Sequence, residues 1–273
     1  MRINDSQTAT SVLRHFDGIR SRSAKTFRQV SSGETVNRVG DDNVALHKST
    51  KLRSQIDGAD RAVKNAQDAV SLVQVADGGI EGIVDVLQKL RRLALQSAND
   101  SNGDDDRKVI EAEFAELTKE IDRQSSAISY NGKHLLNGSL TAPLRFQVGA
   151  NQSEVIKLSL STVTKASLGL NNLSVETRVK AESTLALFDT AIRSLSEKRA
   201  ELGGISNRLT YGEGYLETLR QNNASANSKI KDLDLADGAE NLAKNKVMIE
   251  TAASALQKSS MTNAALATLA PMG

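Results

Sequence analysis

The sequence predicts a mainly α protein: an elongated antiparallel coiled-coil bundle of long helices, with one small β-hairpin region and termini forming paired helices. Three observations carry that expectation. Apolar residues recur in alternating steps of three and four over two long stretches, the repeat of one helix packing along another. Aromatic residues make up only 3% of the chain, with no Trp, which favours thin helix–helix seams over one thick core. The two prolines, Pro143 and Pro271, leave long uninterrupted runs on either side of the middle.

Residues 5 to 32 form the first expected helix, with Leu13, Phe16, Phe27 and Val30 sharing one face and Arg14, Arg20, Arg22, Lys25 and Arg28 forming a solvated basic side. Ser31-Ser32-Gly33 ends it, because glycine accepts the left-handed cap. Gly40-Asp41-Asp42-Asn43 then supplies a turn and a new N-cap.

The second helix, from about Leu46 to Asn99, organises the chain. Its seam is read as Leu52, Ile56, Ala59, Val63, Ala66, Val70 and Val73, resuming at Ala76, Ile80, Ile83, Leu87, Leu90 and Ala94. Two successive steps of three beside Gly78 and Gly79 predict a local overwinding there. At ~1.5 Å per residue this helix would run on the order of 80 Å, the dimension of a rod.

Asn99-Asp100-Ser101-Asn102-Gly103 breaks the helix, and Asp104 to Asp106 favour the positive end of the next. That third helix carries Ile110, Phe114, Leu117, Ile121 and Ile128 on one face and is short enough to fold back on its predecessor. Asn131-Gly132 and Asn137-Gly138 interrupt the helical pattern. Period-two alternation follows at Leu144, Phe146 and Val148, then Ile156, Leu158 and Leu160, with Gly149 to Ser153 as the loop of a hairpin within about residues 143–161. From about Val175 to Leu233, Phe188, Leu195, Leu202, Leu209, Leu216 and Ile230 keep a seven-residue register, and their expected partner is the organising helix. A last helix spans about Leu235 to Leu269, with Leu242, Ile249, Ala253 and Leu256 on one side. The terminal helices carry little large apolar surface, so they are expected to gain order by pairing with each other or with further copies.

The composition excludes more chemistry than it suggests. There is no cysteine, hence no disulfide and no thiolate metal site. The net charge of +2 gives no bulk pull toward nucleic acid or membrane. No run approaches the ~20 apolar residues of a membrane span, and the first residues lack the apolar core of a secretory signal. P-loop, dinucleotide, zinc and nucleophile-elbow patterns are absent, His15, His47 and His134 sit in three separate elements, and the Asp-rich stretch lacks EF-hand spacing. The expectation is no enzyme, no cofactor, no metal, no nucleic acid and no membrane.

The motifs as a set resemble bacterial flagellin. They are Ser31-Ser32-Gly33 with Asn37-Arg38 and Asp41-Asp42; Leu52-Arg53-Ser54-Gln55-Ile56; Asn65-Ala66-Gln67-Asp68; and Leu87-Gln88-Lys89-Leu90-Arg91 with Leu93 to Asn99. Later come Glu120-Ile121-Asp122-Arg123, Asn131-Gly132-Lys133, Leu135-Leu136-Asn137-Gly138, Phe146 to Asn151, Arg199 to Gly203, Asn207-Arg208-Leu209 and Ile230 to Ala236. The resemblance implies a filament subunit without variable outer domains, secreted through the flagellar type III export apparatus with an export chaperone and polymerised with itself into the extracellular flagellar filament. Cap and hook-associated proteins would be its further partners. It also implies three regions: residues 1–43 as an N-terminal inner-core helix and spoke, 44–234 as a rod of long helices with the hairpin, and 235–273 as a C-terminal inner-core helix. Its assembly seam would be Leu52, Ile56, Val63, Val70, Leu87, Leu90, Phe188, Leu195, Leu202, Leu209, Leu216 and Ile230.

In flagellins sensed by the innate receptor TLR5, the second helix forms the principal contact. Lys89, Leu93 and Glu113 match key positions there, with Lys89 in place of an arginine and Arg92 where an acid is common. Two further departures are Asn43-Val44-Ala45-Leu46 after the paired aspartates and the C-terminal Pro271-Met272-Gly273 in place of a Leu-rich end. The rival readings are a hook–filament junction protein, which shares the terminal helices, and a soluble coiled-coil adaptor, which needs only the seams.

Overall fold

Five helices and two small hairpins follow one another in the computed structural model, which describes the backbone of residues 2–269 and the side chains of residues 10–258 and 261. The atypical C-terminal Pro271-Met272-Gly273 lies outside the described residues. The helices are α1 (Arg2–Ser32), α2 (Asn43–Ser97), α3 (Asp104–Ala127), α4 (Arg178–Lys231) and α5 (Leu235–Leu269). Each boundary has a local cause. Gly33 closes α1 in the left-handed region at φ 70°. Asp42 Oδ1 accepts from the Ala45 N–H at 2.9 Å to start α2, and Asp234 Oδ1 accepts from the Ala236 N–H at 2.9 Å to start α5. At the head of α3, Asp106 Oδ2 accepts from the Gly103 N–H at 3.0 Å, with Asp104 and Asp105 in the same positive first turn.

Strands β1 (Ser129–Tyr130) and β2 (Lys133–His134) form a hairpin that the sequence reading treats only as a break in helix. Its turn places Asn131 at φ 48° and Gly132 at φ 75°, the pair of positive angles that Asn-Gly supplies to tight hairpins. The expected hairpin is also present, as β3 (Leu144–Gln147) and β4 (Val155–Leu158), with Phe146 opposite Ile156.

The chain divides into two compact units, one comprising residues 56–220 and the other residues 1–55 with 221–273. Within the first, α2, α3 and α4 share one apolar core with residues of the hairpin and of the segment that leads into α4. α2 and α4 run antiparallel, cross-linked in order by Asp60–Arg220, Gln67–Glu213, Asp77–Arg199 and Arg91–Asp189. Besides Ser49, Leu72 and Val86, which are buried too, one continuous row of buried positions on α2 is Ala59, Ala62, Ala66, Ala69, Val73, Ala76, Ile80, Ile83, Leu87, Leu90, Ala94 and Ser97. They alternate by three and four without interruption, so the overwinding slip expected beside Gly78-Gly79 is not there. Ala62 and Ala69 take the fully buried sites, and the expected Val63 and Val70 lie half-buried beside them. At these two sites the Cβ of alanine fills the buried position and the branched side chain next to it is turned to the flank.

The two adjacent glycines have opposite surroundings. A Cβ on Gly79 would clash with Ile128 Cδ1 and stand 2.9 Å from its Cγ1, whereas one on Gly78 would meet nothing within 4 Å. Gly78→Ala therefore raises the stability of the unit by about 0.5–1 kcal/mol through helix propensity. Gly79→Ala loses that gain to overpacking of about 1–3 kcal/mol. Paired thermal melts check the contrast: equal shifts of the same sign would show that Ile128 does not press on Gly79.

The other unit pairs α1 with α5. The inward stripe of α1 is Val12, Phe16, Ile19, Ser23, Thr26 and Val30, with Ile19 only 2% exposed. This corrects the expected face: Phe16 and Val30 belong to it, but Leu13 and Phe27 lie at its flanks, 50% and 60% exposed, with Phe27 along a groove beside Leu242 and Ile249. On α5 the inward set is Gly238, Leu242, Asn245, Ile249, Ala252 and Leu256, and the expected Ala253 is exposed. Small residues decide the register. A Cβ on Gly238 would lie 3.0 Å from Val30 Cγ2, and the buried Asn245 donates to Thr26 Oγ1 at 3.3 Å.

Candidate functional site

No described group of three or more His, Asp or Glu side chains is placed to hold a metal ion, and no described helix is long and apolar enough to cross a membrane. The functional features of this chain are surfaces and seams.

In the unit of residues 56–220, Leu87, Leu90, Phe188, Leu195, Leu202, Leu209 and Leu216 from the expected seam are buried, whereas Ile56, Val63 and Val70 are half-buried. The seam is thus filled within the chain. Phe188 meets Phe114 edge-to-face, with ring centroids 5.9 Å apart, which fixes α3 against α4. Arg199 clamps Asp77 through two hydrogen bonds of 2.8 and 3.1 Å and reaches Glu81 at 3.3 Å, a bidentate geometry that holds the two helices in register. The end of α2 is tied off by buried polar groups: Arg107 donates to the Ser97 carbonyl, and the Ser97 hydroxyl to the Val175 carbonyl. Sequence reading misses Arg107, because an arginine after three aspartates looks like a solvated charge.

Lys89 and Glu113 are exposed, Leu93 is half-buried against the core, and Arg92 is exposed. On the same unit Tyr211 and Tyr215 stand out from α4 at 82% and 67% exposure, and Val109 from α3 at 72%.

In the unit of residues 1–55 and 221–273, the connector after α1 is clasped to the end of α4. Thr35 N–H donates to the Lys231 carbonyl at 2.7 Å, Leu233 N–H to the Gly33 carbonyl at 2.8 Å, and Lys231 pairs with Glu34 at 2.7 Å. Asp41 folds the connector back onto α1. It pairs with Lys25 at 3.1 Å and accepts from the Asn37 and Arg38 N–H groups, and these contacts, Lys25 foremost, hold its carboxyl below the usual range. Beyond the clasp, Ser49 donates to Asn227 Oδ1 at 2.7 Å and Asn223 to Gln55 Oε1 at 3.5 Å. Leu52 and Ile230 lie half-buried among these polar pairs. Here α2 and α4 meet through amides and hydroxyls as well as aliphatic groups.

The comparisons with known proteins agree with one another. The family model of the bacterial flagellin N-terminal helical region matches residues 3–141, and that of the bacterial flagellin C-terminal helical region matches residues 185–267. The chain is 31% identical to the flagellar filament 33 kDa core protein of Treponema phagedenis, over 98% of this chain and 99% of the relative. It is 34% identical to a flagellin of Halalkalibacterium halodurans, over 86% of this chain and 87% of that one. The crystal structure of Bacillus cereus flagellin superposes with a TM-score of 0.51 at 28% identity, covering 56% of this chain and 88% of that one.

Proposed function

Because the chain belongs to the bacterial flagellin family, we infer its function from that membership: it is a structural subunit of the bacterial flagellar filament and serves motility. It is not an enzyme. The observation that carries this is the match of both helical regions, in order, together with a filament core protein related over nearly the whole chain.

The packing suits that role. A long antiparallel seam with ionic cross-links resists bending, and exposed apolar residues on α1 offer surface to further copies. Contacts between two different faces of one subunit repeat without closing and give an open helical polymer. Residues 1–43 and 235–273 would form the inner core of that polymer and residues 44–234 its surrounding rod. The finer partners follow from membership alone: export by the type III apparatus with a chaperone into an extracellular filament, growth beneath a cap, and joining to the hook through hook-associated proteins. Exposed Lys89 and Glu113 are the side chains offered to TLR5, with Arg92 reversing a charge on that surface.

Electron microscopy of purified protein added to sheared filament seeds tests the central reading. Filaments that lengthen in proportion to added subunit are expected; protein that stays monomeric beside competent seeds would refute it.

A further inference from the structure

Asparagine followed by glycine is the dipeptide most open to uncatalysed deamidation, because no Cβ on the second residue hinders attack by its backbone nitrogen. The chain has three such pairs, Asn102-Gly103, Asn131-Gly132 and Asn137-Gly138, all outside helices and strands except that they adjoin them. Two of the three are held. Gly103 N–H donates to Asp106 Oδ2 at 3.0 Å, and the Asn102 amide donates to the Gln96 carbonyl, so nucleophile and electrophile are each engaged elsewhere. The adjacent carboxylate also opposes the negative charge that the Gly103 nitrogen must take on to attack. Asn137 Oδ1 accepts from the Ser139 N–H at 3.0 Å, and a Cβ on Gly138 would lie 2.8 Å from Thr162 Oγ1. The residue before this pair is anchored too: the Leu136 carbonyl accepts from the Val163 N–H at 2.7 Å and from the Ser125 hydroxyl at 3.0 Å. Asn102 and Asn137 are both half-buried.

The third pair lacks every one of these restraints. Asn131 and Gly132 are exposed at the tip of the β1–β2 turn, and neither the Asn131 amide nor the Gly132 N–H has a hydrogen-bond partner among the described residues. A Cβ on Gly132 would meet nothing within 4 Å. Attack requires Asn131 to leave its turn conformation, and the strands that hold the turn are two residues each. A hairpin so short opens readily.

We propose that Asn131 is a site of spontaneous deamidation, selected over the other two pairs by the fold. Hydroxide removes the Gly132 N–H proton and the nitrogen attacks Asn131 Cγ. The bond from Cγ to the amide nitrogen then breaks, and ammonia leaves with a proton from water, which restores the hydroxide. A second water opens the succinimide ring at either carbonyl and leaves aspartate or isoaspartate, so each event adds one negative charge. Aspartate keeps the turn, because Asp tolerates positive φ as Asn does. Isoaspartate adds a methylene to the backbone of a two-residue turn and breaks the pairing of Ser129 with His134 and of Tyr130 with Lys133. The lesion lies directly before Leu135, whose N–H donates to the Ile128 carbonyl at 3.0 Å and whose side chain is buried with that of Leu136. The turn thereby records the age of the molecule.

Trypsin separates the three pairs onto three peptides, residues 93–107, 124–133 and 134–145. The full chain is held in mildly alkaline buffer, digested, and read by mass spectrometry for conversion of amide to acid. Asn131 is expected to convert about tenfold faster than Asn102 or Asn137, and the three rates come together in urea. Comparable rates in the folded chain, or the same ratio in urea, overturn the proposal. Asp106→Ala frees the Gly103 N–H and should speed Asn102 severalfold while Asn131 is unchanged; a rate at Asn102 that stays low overturns selection by the fold. Chain enriched in isoaspartate at 131 should exchange the Leu135 amide about tenfold faster than Asn131→Asp, and equal exchange would overturn the disruption of the turn.

Discussion

Leu209→Asp is expected to melt the α2–α4 seam and to abolish growth on seeds. Leu209 is 0% exposed and lies between the Gln67–Glu213 and Asp77–Arg199 cross-links, where α2 presents Ala69 and Val73. Removing the leucine costs about 2–5 kcal/mol of packing. An ionised carboxylate with no cation in the seam adds a desolvation penalty of several kcal/mol more. The melting temperature should fall by roughly 10 °C or more, at about 2–4 °C per kcal/mol for a domain of this size. The pH dependence identifies the cause. Burial raises the folded-state pKa of the new carboxyl above its unfolded value, so the ionic part of the penalty is absent below the unfolded value, near ~3.9, and grows as pH rises past it. The deficit against the native chain should therefore shrink between pH 7 and pH 4, while Leu209→Asn should show no such recovery. Normal filaments from Leu209→Asp, or a deficit independent of pH, would place Leu209 outside the seam.

How much of this was legible beforehand depends on which signal each element carries. The α4 strip was readable because Phe188, Leu195, Leu202, Leu209 and Leu216 are large, and large apolar residues at one heptad position admit one face. On α2 the same rule misled between Ala59 and Val73. Choosing the bulkier Val63 and Val70 over Ala62 and Ala69 forced two successive steps of three and created a slip that the packed helix lacks. The alanines take the buried positions and the valines lie at their flank, a choice of face that residue size alone does not state. The first hairpin was missed although Asn131-Gly132 is a strong turn signal, because two-residue strands carry no alternation to read.

The α1 stripe shows a different limit. Hydrophobic periodicity assumes that the largest apolar residues face the nearest partner. In α1 the contact with α5 is made by Ile19, Ser23 and Thr26, and the expected Leu13 and Phe27 are left at its flanks. A chain built to meet copies of itself has two sets of faces, one satisfied internally and one outside, and a single sequence superimposes both. The polar clasp of Thr35, Lys231 and Glu34 is also hidden: it joins residues nearly two hundred positions apart, through backbone groups that have no signature in residue type and through one ion pair that residue type alone does not single out.

Phe188→Ala is the second large effect, and here the ring contact separates two accounts of α3. Phe188 is 0% exposed and Phe114 1%, so either truncation leaves a cavity and should cost about 3–5 kcal/mol. If α3 were held only by the general apolar core it shares with Ile110 and Ile121, the two losses would add. The edge-to-face geometry at 5.9 Å predicts otherwise, with about 0.5–1.5 kcal/mol of the two single losses shared between them. The double variant Phe114→Ala/Phe188→Ala should therefore be less destabilised than the sum, measured by urea unfolding of the monomer. Amide exchange in α3 should rise in each single variant, because the same ring pair anchors that helix to α4. Additivity within ~0.3–0.5 kcal/mol would mean that the rings do not couple and that α3 is held by its aliphatic residues alone.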